Sequence, residues 1–111
     1  MNIAIPVTSE GRVEQRWGKA PRIAVAAVAD GAITGWDEYA VGWDLAHDEG
    51  TEGSHHARIV RFLREHEVTH VVVDHMGAPM QHTLGRMGVV ILGAGSPDAR
   101  ESVILAVASL R

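Results

Sequence analysis

Apolar and polar positions change rhythm several times along this chain, and each change marks an element. Residues 2–7 (NIAIPV) are mostly apolar and give way to a polar stretch, TSEGRVEQRWGKAP, so they read as a strand entering a loop. Ile23 to Val28 is rich in Ala and Val and has the character of a buried strand. Asp30-Gly31 is a strong two-residue hairpin signal, and Ile33 to Tyr39 is the returning strand. From Val41 to His55 the periodicity disappears and Gly, Asp, Glu, Trp and His take over. A loop of that length in so small a domain marks a functional or mobile segment.

A helical period then begins. Ser54 stands as an N-cap before HARIVRFLREH, where Ile59, Val60 and Leu63 form an apolar stripe and Arg58, Arg61, Arg64 and Glu65 point outward. Thr69 to Val73 is the next strand. It stops abruptly at Asp74-His75-Met76-Gly77, and Met80, Leu84 and Met87 at i, i+4, i+7 predict a short helix ending near Gly88. Val89 to Leu92 is a further strand, followed by the turn GAGSPD. Ser96 or Asp98 caps a last helix that carries Val103, Ile104 and Val107 inward. The order is β, ββ hairpin, α, β, α, β, α. Right-handed parallel crossovers through the helices and an antiparallel hairpin predict an α/β fold of three layers. Its five-stranded mixed sheet runs 3-2-1-4-5 with strand 2 antiparallel and carries three helices, the architecture of ribonuclease H-like proteins.

Composition narrows the function. At 111 residues, with neither linker nor repeat, the chain is expected to form a single domain over 1–111. No apolar run approaches the roughly 20 residues that span a bilayer. The first residues show no basic segment followed by a cleavage site, so no membrane partner and a cytoplasmic address are expected. A formal charge of −4 supplies no basic footprint for nucleic acid. The absence of cysteine removes thiol nucleophiles, disulfides and protein thiolate ligands, and leaves the seven histidines as the residues to watch.

His75 ends a buried strand at the carboxyl edge, where ligands of open α/β sheets bind. It precedes Gly77 and the start of a helix, whose free N–H groups and positive dipole end would meet an anion. The ordinary alternative is a hydrogen bond within the turn. His55 and His56 open the first crossover helix and His47 lies in the loop before it, together with Asp44, Asp48, Glu49 and Glu52. Neighbouring helical residues diverge by about 100°, so His55 and His56 do not easily share one site. A set of imidazoles and carboxylates suits Zn, Fe, Ni or Cu, and a solvated acidic loop with chance histidines is the plain alternative. Met80 belongs to the core stripe of its helix rather than to a soft-metal site. Trp17 and Trp43 sit in the two long loops, where anchoring those loops is the expected role and walling a cavity the other one.

These residues together resemble a family. The opening NIAIPV, the loop G-x-V-x-x-x-W-G-K-A-P from Gly11 to Pro21, the His- and Gly-rich loop, and VVVDHMGAPMQHTLGRMGVVILGAG occur in the order found in the dinitrogenase iron–molybdenum cofactor biosynthesis family. The resemblance implies a ribonuclease H-like fold and a small carrier or accessory protein of nitrogenase cofactor assembly. Its cargo would be an iron–molybdenum or other metal–sulfur cluster, or a transition metal ion, and its partner a cofactor-assembly or acceptor protein. Members commonly read His-Phe-Gly-Arg-Ala-Pro in the first loop, where this chain has Arg16-Trp17-Gly18-Lys19-Ala20-Pro21. Arg16 has no lone pair for a metal, but it can pair with an anionic cluster. After the fourth strand a glycine-rich turn is usual, and here Asp74-His75 replaces it.

The sequence therefore predicts a non-catalytic carrier. Arg16, Trp17, Gly18, Lys19 and Gly77 would contact its cofactor, and His75, His55, His56 and His47 would be the candidate metal ligands. An enzyme is poorly supported. A nuclease of this architecture needs several carboxylates converging on metal ions, and the first strand carries none. No serine stands in a nucleophile elbow. A regulatory or scaffold module that binds a protein partner without metal is the alternative.

Overall fold

A computed structural model describes residues 1–46 and 50–110 of the chain. Five strands form one sheet: β1 (Asn2–Pro6), β2 (Ile23–Ala29), β3 (Ala32–Tyr39), β4 (His70–Val73) and β5 (Val90–Gly93). Four helices accompany them: α1 (Trp43–Ala46), α2 (Glu52–Glu65), α3 (Ala78–Arg86) and α4 (Ala99–Ala108). The sheet order is β3-β2-β1-β4-β5, with β1 antiparallel to β2 and parallel to β4, and β4 parallel to β5. This is the expected order and polarity. The short α1, inside the segment expected to lack periodicity, is the one added helix.

Alternation along the strands sorts side chains into two cores. Ala4, Val25, Val71 and Val73 face a layer made by α2 and α3, whose Ile59, Leu63, Met80 and Leu84 pack onto them. Ile3, Ile5, Ala24, Ala26 and Val72 face α4 on the opposite side, through Val103, Ala106 and Val107. Asp30 and Gly31 both adopt positive φ, 54° and 77°, as a two-residue turn between antiparallel strands requires. No helix among the described residues is long and apolar enough to cross a membrane.

Two local expectations are corrected. The N-cap of α2 is Thr51, whose side chain accepts from the Ser54 N–H, and Ser54 lies inside the first turn. The Thr51 cap starts the helix before Ser54 and turns His55 inward. Ile104 is 49% exposed, while Ser102 and Ala106 are buried beside Val103 and Val107. The inward face of α4 is thus rotated toward small residues, which let the helix sit close to the sheet.

Candidate functional site

The carboxyl ends of β1 and β4 are joined by a contact the sequence does not display. Arg16 and His75 form an isolated parallel backbone bridge, which lays the loop after β1 beside the turn after β4. Between them opens a cavity of about 700 Å³, a size that suits a cofactor-sized ligand. One wall is Arg16, Trp17, Gly18 and Lys19. The opposite wall is His75, Met76 and Gly77 with Pro79 and Met80 at the start of α3, and His55 and His56 on α2 close the third side. Every cofactor and histidine candidate named from the sequence thus lines this one cavity, except His47, which lies outside the described residues along with Asp48 and Glu49.

The loop wall is held from beneath. Trp17 and Trp43 are each only 2% exposed and meet edge to face, with ring centroids 5.5 Å apart. Trp43 also meets Phe62 at 5.6 Å. Such pairs contribute about 0.5–1.5 kcal/mol beyond their burial. The Trp43 N–H donates to the Ala20 carbonyl and the Gly42 N–H to that of Pro21. Trp17 therefore does both things the sequence offered, anchoring its loop in the core and forming part of the wall. Its buried indole Nε1 has no hydrogen-bond acceptor among the described residues.

His55 has a distinct place. It is 3% exposed, with Nε2 2.6 Å from the Gly18 carbonyl oxygen and Nδ1 2.9 Å from an Arg58 guanidinium nitrogen. A guanidinium only donates and a carbonyl only accepts, so the contacts fit an imidazole with its proton on Nε2. Both ring nitrogens are engaged in tying Gly18 to α2. To ligate a metal, His55 would have to surrender one of these bonds. The sequence carries a signal for its burial, because positions 55, 59 and 63 repeat every four residues along the inner stripe of α2.

His75 and Lys19 are exposed at the rim, and His56 is half-buried. Arg16 is held at its base by Glu14, with Nε 2.9 Å from Oε1. The hydrogen bond from Arg16 pulls the Glu14 carboxyl below its usual range, against the opposing effect of burial. The same bond raises Arg16 further. Met80 packs with Leu84 in the core and shows one side to the cavity. Asp74 diverges from its neighbour His75, lining a second depression with Arg12, Gln15 and Ser96.

The floor of the cavity is the start of α3. Gly77 is its N-cap and offers no side chain to the helix, there is no acidic residue in the first turn, and Pro79 follows. Among the described residues the amides of Ala78 and Met80 have no acceptor. The N-terminus of α3 beside Arg16 and Lys19 gives this end of the cavity a positive potential. Among the described residues no three His, Asp or Glu side chains gather closely enough to enclose a metal ion.

Comparison with known proteins identifies the family and the fold. The family model described as "Dinitrogenase iron-molybdenum cofactor" matches residues 1–109. Among solved structures, that described as "Crystal structure of PH0822" is similar with a TM-score of 0.75 at 15% identity, over 98% of this chain and 92% of that one. At that identity the likeness is one of fold. No curated protein matches the chain.

Proposed function

This chain belongs to the dinitrogenase iron–molybdenum cofactor family, and from that premise we propose that it is a non-catalytic cytoplasmic carrier of an anionic metal cargo. The cargo is an iron–molybdenum or other metal–sulfur cluster, or a transition metal in an anionic complex, held at the carboxyl edge of the sheet. One observation carries the reading. Arg16, Lys19 and His75 line one cavity of about 700 Å³, together with Gly77 and Met80 at the start of α3.

The residues fit such a cargo in a specific way. The chain has no cysteine, so sulfide or thiolate sulfur must arrive with the cargo rather than from the protein. Positive charge from the two side chains and the helix end offsets its negative charge. His75 offers an imidazole lone pair at the rim. Its backbone bridge to Arg16 makes it a substitute for the histidine that relatives carry in the first loop, with the ligand moved across to the facing turn. His56 is the second candidate ligand, and His55 positions Gly18. Among the described residues, Glu14 is paired with Arg16, Asp44 also acts on the Arg16 charge, and Asp74 lies in the neighbouring depression. Trp17 and Trp43, which a metal-free scaffold could have used for docking, are spent in the core.

The test is elemental analysis of protein isolated anaerobically from its own host, beside His75→Ala and Arg16→Ala variants. The carrier should retain iron, with or without molybdenum, in stoichiometric amount. His75→Ala should lower that by about tenfold, equivalent to about 1.4 kcal/mol of binding. Background metal in the unaltered protein and no change on His75→Ala would end the proposal.

A further inference from the structure

Next to the cargo cavity lies a groove of about 500 Å³ between α2 and α3, and His56 lines both. The groove has an apolar strip, Ala57 and half-buried Val60, facing Thr83 of α3. Its rim carries Arg61 and Arg64, both exposed, against one acid, Glu65. One turn beyond Thr83, Arg86 adds a third exposed guanidinium at the end of α3. Neither ion pair among the described residues involves these three arginines. In a chain of net charge −4, these three arginines against the one groove acid, Glu65, form a local excess of positive charge.

We propose that this groove docks an acidic amphipathic helix of a partner protein, so that the partner's surface abuts the cargo cavity. The inference rests on the carrier reading and names the partner's chemistry for it. The shape and charge favour a protein segment. An apolar strip between two helices receives the apolar face of a third helix, and the flanking arginines select for carboxylates and steer the encounter. A flat lipid surface would leave the concave strip unfilled, and a nucleic-acid duplex offers no apolar face to fill it. His56, shared by groove and cavity, makes cargo and partner neighbours, which is what direct transfer requires.

The probe is a synthetic helical peptide of about four turns, with Leu along one face and Glu along the other. It is titrated into isotope-labelled protein and followed by amide chemical shifts. Shifts should centre on Val60, Arg61, Arg64 and Thr83, and affinity should fall severalfold as salt rises from dilute to physiological. Arg61→Glu with Arg64→Glu should weaken binding by about tenfold. A Lys-for-Glu version of the peptide should bind this double variant better than it binds the unaltered protein. Shifts elsewhere, equal binding of both peptides, or no loss on charge reversal would overturn the docking site. So would tighter binding of duplex DNA or of phosphatidylglycerol vesicles. Metal content separates the two proposals. The charge-reversed variant should keep its cargo, and His75→Ala should keep its peptide affinity.

Discussion

Helices α3 and α4 both begin at the carboxyl edge of the sheet, and they treat their first-turn amides in opposite ways. The start of α4 is closed by its own sequence. The Asp98 side chain accepts from the Glu101 N–H at 2.9 Å, the Ala99 N–H donates to the Gly11 carbonyl, and Ser96 ties down Glu101. The start of α3 has glycine at the cap, no acid in its first turn and, among the described residues, two amides without acceptors. One loop serves both ends. Its first part, through Gly11 and Arg12, seals α4, and its second part, through Arg16 to Lys19, stands over α3 and brings cations to it. A capped helix end is a structural joint, whereas an uncapped end facing cations is a place for a ligand.

The largest effect should come from undoing the support under the open end. Trp43→Ala removes a fully buried indole that holds both Trp17 and Phe62. It should cost about 3–5 kcal/mol in denaturant unfolding. Trp17 fluorescence should shift to the red as the loop loosens, and an unchanged spectrum would mean that the loop is held by something else.

Gly77→Asp sharpens the contrast by giving α3 the cap that α4 already has. Gly77 has φ −64°, and an added Cβ would come no closer than 3.9 Å to its nearest neighbour, Pro79 Cδ, so the backbone accepts a side chain. The new carboxylate should fill the open amides and repel an anionic cargo, lowering metal retention by about tenfold. Unfolding stability should hold or rise by roughly a few tenths of a kcal/mol. Retained cargo in a well-folded variant would show that the helix end takes no part in binding.

Asp98→Ala makes the converse change and should cost about 1 kcal/mol of stability while cargo retention stays the same. A loss of metal there would erase the distinction between the two helix ends.

The smallest effect lies away from both. Burial, with a lesser contribution from the N-terminal amine, lowers the pKa of His70 below its usual 6.5. The unfolded chain then takes up its proton first, so this group's contribution to stability is complete above about pH 6.5 and is lost as pH falls toward the folded-state value. His70→Gln should reduce the difference in urea midpoint between pH 7.5 and pH 5.5 slightly. A steeper dependence in the variant would reverse the sign of this assignment.

How much of this was legible in the chain follows from the range of the interactions involved. The Asp30-Gly31 turn, the valine run of β4 and the stripe of α3 are local signals, and they placed strands and helices where the structure has them. The sheet order followed from those elements plus chain handedness. Helix phase was less legible. Thr51 and Ser54 are both competent caps, and their choice depends on the whole first turn, so His55 was read as a helix-opening residue when it is a buried tie to Gly18. The inward face of α4 depended on how closely a helix can approach the sheet, which favours Ser102 and Ala106 over Ile104.

By itself, the sequence determined the strands, their order and the family. Periodicity and turn chemistry are written in neighbouring residues. Only the tertiary structure decided that Asp74 and His75, adjacent in the chain, serve different depressions, and that Arg16 lies against His75. It also decided that the arginines of α2 border the same histidine as the cavity. The loop of Arg12 to Lys19 meets Asp74 and His75 across tens of positions, and that meeting is set by the packing of α2, α3 and the tryptophan pair against the sheet.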